Sequence, residues 1–319
     1  MSEIGTKKET RVAYGETLVE LGAMNEKVVV MDADLSGSTK TAMFKKVYPD
    51  RFFNAGIAEG NMVGVAAGLA ASGYTVFVSS FAMFASGRAF EQIRNTAAYP
   101  NLNVKICASH AGITVGADGA THQCLEDIGI MRTIPHMTVI NPADAVEARL
   151  AILAAAKHNG PVYMRFGRSA VPIVFDADTY KFDIGKGVQL VEGSDVTLVA
   201  TGITVEMALE ASEILKNRGI SARVINMATI KPIDREILVK ASRETGVIVT
   251  SEEHNIIGGL GSAVCEALCE EAPCIVERVG IRDSFGRSGS VNDLLKYYKL
   301  TAEEIVSRAE IALKRAGKR

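Results

Sequence analysis

Short runs of β-branched and other apolar residues alternate with longer stretches rich in alanine and glycine along most of the chain. Residues 28–31, 75–78, 104–108, 137–140 and 162–164 read as strands of a first unit. Each is continuously apolar rather than alternating, the mark of a sheet covered on both faces. Helical patterns fill the intervals at 59–71, 84–97 and 143–157. The last of these opens on Asn141-Pro142, read as an N-cap with proline at the first helical position. From 175 to 194 the pattern lapses into an Asp- and Gly-rich stretch, and then the alternation resumes. Strands at 196–200, 222–226, 247–250 and 275–279 enclose helices at 206–217, 235–243 and 261–271. The fold class is therefore α/β, with two parallel-sheet domains at 1–180 and 194–319 joined by a linker at 181–193.

A length of 319 residues is enough for two cores, and 29 glycines with a 48% hydrophobic fraction suit such a protein. The net charge of −2 gives no reason to expect nucleic acid or a membrane surface as partner. Five cysteines with no CxxC pair argue against a disulfide framework and for a cytoplasmic location. The first residues are too polar for a signal peptide, and no apolar run approaches the roughly 18–20 residues of a membrane span.

Four constellations carry chemistry. Glu59 opens a stretch of small residues that must pack closely. A carboxylate at a helix start is explained by the helix dipole alone. With apolar neighbours and no basic residue nearby in sequence, it would also be suited to share a proton with a heterocyclic nitrogen. Phe81 and Phe84 are three apart, on one face if helical; they are core residues or a platform for a flat ring. His110, Asp118 and His122 share a glycine-rich, mobile-looking loop beyond a strand, where parallel α/β sheets bind ligands. Two of five histidines there suggest acid–base work or oxyanion recognition, with a plain surface loop as the other explanation. A metal site from Cys107, His110, His122 and Cys124 is disfavoured by alternation and spacing, so no metal ligand is assigned to this chain. Arg11, read as preceding the first helix, and Arg165 and Arg168 suit phosphate contact or are ordinary surface charges. The glycines at 258, 259 and 261 are assigned to tight packing around a helix start.

The segments DADLSGS (32–38), GIAEGN (56–61), SFAMF (80–84), SHAGITVGADGATHQ (109–123), NPAD (141–144), GRSAVP (167–172) and SEEHNIIGGLGSAV (251–264) occur in this order. Together they resemble the C-terminal half of the transketolase family of thiamine-diphosphate enzymes, over nearly the whole chain. The resemblance implies a pyrimidine-binding domain followed by a transketolase-like C-terminal domain. It implies that Glu59 bonds the aminopyrimidine ring and promotes its imino tautomer, which takes the proton from the thiazolium carbon. It places Phe84, with Phe81, in the ring stack, and Asp34 and Leu35 beside the cofactor. His110 and His122 fall near the reacting sugar, Asp118 on a substrate hydroxyl, and Arg11, Ser38, His110 and Arg168 around the substrate phosphate. Gly87 departs from the aromatic residue often found there, leaving the ring pocket more open.

The family's GDG…N motif, which holds Mg²⁺ and the diphosphate, has no counterpart here. The resemblance is thus to the C-terminal subunit of a split transketolase. That implies thiamine diphosphate as cofactor, Mg²⁺ held by an N-terminal partner subunit, sugar phosphates as substrates, and self-association into a dimer within a heterotetramer. Alternatives are the C-terminal part of a 1-deoxyxylulose-5-phosphate synthase, the β subunit of a 2-oxo acid dehydrogenase, or a non-catalytic scaffold.

Overall fold

The structure is a computed structural model that describes residues 4–318; residues 1–3 and 319, at the expected outer domain bounds, lie outside it. In chain order the strands are β1 (Lys7–Glu9), β2 (Val28–Asp32), β3 (Phe52–Asn54), β4 (Thr75–Phe81), β5 (Val104–Ser109), β6 (Thr138–Ile140) and β7 (Val162–Arg165). They continue as β8 (Ala170–Pro172), β9 (Val188–Val191), β10 (Val196–Ala200), β11 (Ala222–Asn226), β12 (Thr229–Lys231), β13 (Val247–Asn255) and β14 (Ile275–Ile281). The first sheet has the order β12-β6-β7-β5-β4-β2-β3 and the second the order β14-β13-β10-β11-β9. Pairing is parallel except for β12 against β6 and β9 against β11. The α/β class, with parallel-dominated sheets in two units, is as the sequence pattern implies.

The continuous apolar runs are buried on both faces, as expected. On β2, Val29 and Met31 pack toward Met62, Val63 and Ala66 of the helix Glu59–Ala71. Val28 and Val30 face Tyr14, Leu18 and Leu21 of the helix Thr10–Met24. Burying one such side chain is worth about 1.5–3 kcal/mol, so a charge on either face of β2 would be costly.

Four local readings are corrected. Asn141-Pro142 does not start the helix: Asp144 caps Ala145–Lys157, its carboxylate accepting from the Glu147 amide at 2.7 Å. The pattern at 84–97 is not one α-helix but two wide π-type turns, Phe84–Arg88 and Ile93–Ala98, around the short Phe90–Gln92. Inside the stretch that reads as linker, Val188–Val191 is a strand on the edge of the second sheet. Arg11 lies within the first helix rather than before it.

In the first sheet the chain runs from β2 to β3 on one side, then to β4 on the other, so the order reverses between β2 and β4. A crevice outside the carboxyl ends of the strands is expected at that reversal. A short antiparallel ribbon, β1 with β8, brings the start of the Arg11 helix beside the segment carrying Arg168.

Candidate functional site

The carboxyl ends of β2, β3, β4, β5 and β7 deliver the predicted residues to one rim. After β2, the fully buried Asp32 accepts from the Leu35 amide at 2.5 Å and from the hydroxyls of Thr39 and Thr41 at 2.7 and 2.9 Å. These bonds fold DADLSGS back on itself. Asp34 points outward with φ of 65°, exchanging hydrogen bonds with the Asn54 side chain at 2.8 and 3.1 Å. Leu35 is half-buried, and the Ser38 carbonyl accepts from Arg11 Nη1 at 3.1 Å.

Glu59 is the first residue of its helix, buried, with no side-chain cap before it. No basic residue is near it in sequence, but folding brings one: Arg88, 29 positions on, places Nη1 3.1 Å from its Oε1. Ser80 Oγ lies 3.5 Å from the same oxygen. The wide π-type turn places Arg88 so that its guanidinium also lies over the Phe84 ring, 4.1 Å from the centroid. Arg88 is half-exposed and free to swing.

Phe81 ends β4 and Phe84 begins the π-type turn, so they are not helical neighbours as anticipated, yet their rings stack at 5.8 Å and 23°. One face of Phe81 is covered by the His110 ring at 3.9 Å. His122 meets Phe84 edge-on at 5.3 Å and Phe81 at 6.2 Å. The aromatic and histidine motifs thus form one cluster, with Phe84 the ring that Arg88 stacks on.

His110 follows β5 with φ of 56°, a left-handed backbone seldom adopted away from glycine. Its Nε2 lies 3.2 Å from Arg11 Nη1, and a guanidinium only donates, so Nε2 is the acceptor. Nδ1 then carries the proton and donates to Ser109 Oγ at 2.9 Å. Burial, followed by the charges of Arg11, Arg168 and Lys40, pushes the ring down to about 3, so His110 is neutral at physiological pH. Arg168 donates to the Val115 carbonyl at 2.6 Å and pairs with the exposed Asp118 at 3.5 Å. Arg11, Arg168 and residues 114–117 line a groove of about 510 Å³, together with residues 289–291 of the second domain.

Two residues were missed or misread from sequence. Lys40 belongs to the cationic surroundings of His110, and only its position after DADLSGS hinted at that. Arg165 is not a surface charge: it is buried, donating to Asp127 Oδ2 at 2.8 Å and to the carbonyls of Cys124 and Glu253 at 3.2 and 2.9 Å. The glycines at 258, 259 and 261 are packed tightly, as expected, and the helix start they form also holds an internal anion: the Leu260 and Gly261 amides donate to Glu252 at 2.6 and 2.8 Å. A Cβ on Gly259 would lie 1.9 Å from that carboxylate. Burial raises Glu252 to about 7 despite these bonds.

The loop 110–122 is not mobile in its bonding. Glu253 accepts from the Thr114 amide at 2.6 Å, and Gln123 Nε2 donates to the carbonyls of Ile113, Gly116 and Arg287.

"Transketolase, pyrimidine binding domain" matches residues 6–174, and "Transketolase, C-terminal domain" matches 185–305. The chain belongs to the transketolase family. A solved "split gene transketolase, inactive beta4 tetramer" is 55% identical, with a TM-score of 0.90, covering 96% of this chain and 98% of that one. A 6-deoxy-6-sulfo-D-fructose transketolase subunit of Clostridium sp. (strain MSTE9) is 44% identical over 94% of this chain and 92% of its own. Human transketolase is 37% identical over 95% of this chain but only 49% of its own length. The family's enzymes are thiamine-diphosphate-dependent transferases. No helix among the described residues is long and apolar enough to cross a membrane.

The rim fits the pyrimidine end of that cofactor. Arg88 already shows that Glu59 and Phe84 together hold a flat group carrying N–H donors, stacked on the ring and bonded to the carboxylate. An aminopyrimidine presents the same chemistry.

Proposed function

We propose that this chain is the C-terminal subunit of a split transketolase, moving a two-carbon ketol unit from a ketose phosphate to an aldose phosphate. The observation that carries it is the shared rim: Glu59 and Phe84 beside a neutral His110 surrounded by Arg11, Lys40 and Arg168. When bound, thiamine diphosphate supplies the carbon nucleophile and electron sink for ketol transfer. Glu59 holds a proton between its carboxylate and a pyrimidine ring nitrogen, displacing Arg88. Phe84 gives the ring a flat support, with Asp34, Leu35 and Phe81 shaping the pocket around it. Neutral His110, with Nδ1–H fixed by Ser109, offers Nε2 as an acceptor to a sugar hydroxyl once Arg11 turns to the substrate anion. His122 lies across the same aromatic cluster and serves proton transfer at the reacting carbons, with Asp118 on a sugar hydroxyl. Arg11, Arg168 and Ser38 grip the terminal anion; paired cations of this kind recognise phosphate well.

Supporting the partner requirement, the chain matches the split-gene transketolase chain over 98% of that chain's length, and no GDG…N motif lies within this sequence. An N-terminal subunit would then hold the diphosphate through Mg²⁺, in a heterotetramer acting in the cytoplasm on pentose phosphates. The test is reconstitution with the cognate N-terminal subunit, thiamine diphosphate, Mg²⁺, xylulose 5-phosphate and ribose 5-phosphate. Ketol transfer by the mixture and by neither subunit alone is expected; its absence sinks the proposal. Product formed instead from pyruvate and glyceraldehyde 3-phosphate would reassign the chain to deoxyxylulose-phosphate synthesis.

A further inference from the structure

We propose that Glu253 of the second domain is a positioning residue that sets the histidine loop for sugar binding. This rests on reading that loop as the sugar site.

The loop cannot specify its own shape. His110, Gly112, Gly116 and Gly119 all have positive φ, at 56°, 79°, 82° and 76°. Gly116 breaks the short 3-10 segment Ile113–Asp118 with ψ of −120°. A chain with this many left-handed positions gains little from local hydrogen bonding, and such backbone persists only where its surroundings over-determine it. Arg168 and Gln123 supply part of those surroundings, and the second domain supplies the rest.

Glu253 lies near the end of β13, buried, and its Oε1 accepts from the Thr114 amide at 2.6 Å. The Gly112 backbone runs so close that a Cβ there would sit 2.2 Å from the Glu253 carboxyl carbon, so only glycine fits. Glu253 Oε2 is 3.9 Å from Arg165 Nη1. Arg165 in turn donates to the carbonyl of Cys124, at the far end of the loop, and to the Glu253 carbonyl. Both ends of the loop therefore converge on the Glu253–Arg165 pair. Two lighter ties come from the same domain: the Arg287 carbonyl accepts from Gln123 at 2.9 Å, and Ser288 Oγ donates to the Ala117 carbonyl at 2.6 Å. Among the described residues no hydrogen bond or ion pair joins these groups to Glu59 or Arg88. The second domain thus acts directly on the sugar-binding loop and reaches the pyrimidine end only indirectly, through the His110 and His122 rings against Phe81 and Phe84.

Glu253→Gln keeps the volume and replaces the carboxylate with a weaker acceptor beside Arg165. The control is Glu147→Gln, an equally buried carboxylate between the domains that bonds Tyr180, Asn226 and the Ala143 amide but no loop residue. Hydrogen–deuterium exchange on the chain alone is expected to speed up across 110–123 in Glu253→Gln and stay at the wild-type rate there in Glu147→Gln. In the reconstituted complex, KM for sugar phosphates should rise about tenfold or more in Glu253→Gln. Proton exchange at the thiazolium carbon should stay within about twofold of wild type in that variant, since only ground-state sugar contacts are disturbed. Ser288→Ala, on the exposed tie, should shift loop exchange in the same direction by less, and it decides the matter if Glu253→Gln does not fold. Unchanged loop exchange in the two loop-side variants overturns the proposal. So does Glu147→Gln reproducing the shifts, which would reduce Glu253 to general stability. A wild-type complex without ketol transfer would count against the enzyme assignment, and the exchange data would still decide the role of Glu253.

Discussion

Glu59 and the pair Glu252–Glu253 are all buried carboxylates at or beyond strand ends, yet they are held in opposite ways. Glu252 is held by two backbone amides, and Glu253 by one amide beside a buried arginine. Glu59 has only the half-exposed Arg88 and a long contact from Ser80. Backbone donors are fixed by the fold, whereas a surface arginine leaves at little cost. Burial alone does not distinguish framework from chemistry; the source of the partner does. A carboxylate held by fixed donors belongs to the scaffold, and one held by a movable side chain is open to a ligand.

Four predictions test that contrast. Glu59→Gln should cut thiazolium proton exchange in the reconstituted complex by at least about a hundredfold, the scale of lost acid–base catalysis, with the urea midpoint unchanged. An unaltered exchange rate would remove Glu59 from the chemistry. On the framework side, Arg165→Met leaves Asp127 and Glu253 buried without their cation and should cost about 3–5 kcal/mol in urea unfolding. A much smaller loss would mean that the buried network is loosely held.

Glu147 gives a pH signature of framework burial. Burial raises it to about 7 from an ordinary 4.5. A raised carboxyl favours the folded state below its unfolded pKa, and that advantage is lost as pH rises through the folded value. Wild-type stability relative to Glu147→Gln should therefore fall by up to about 3 kcal/mol between pH 4.5 and 7, read as converging melting temperatures. A difference that stays flat with pH refutes the raised pKa. The smallest effect belongs to Arg88→Ala, which should change unfolding by less than about 1 kcal/mol. A drop of several kcal/mol would place Arg88 in the framework and undo the contrast.

The fold class was legible because strands buried on both faces leave continuous apolar runs such as 28–31 and 104–108. Edge strands were not: Val188–Val191 is short and only partly covered, and Thr229–Lys231 is only three residues long, so composition barely marks them. The broken helix at 84–98 was hidden because π-type turns keep the apolar spacing of an α-helix while shifting which residues face the site. At the rim, motifs named the residues, but their partners come from far along the chain. Arg88 reaches Glu59 across 29 positions and Glu253 reaches Thr114 across 139, distances no local pattern encodes. Arg165 read as surface charge because its neutralising carboxylates are brought to it only by folding.

Strand β12 follows the second domain's β11, yet it completes the edge of the first sheet by pairing with β6. Without it β6 would present open hydrogen-bonding groups to any passing strand. A chain cut off after the first domain should therefore stick to itself, whereas a protease nick in the 175–187 segment should leave the two pieces clasped together. During synthesis the first domain stays unfinished at that border until residue 231 has emerged, so its maturation waits on sequence from the next domain.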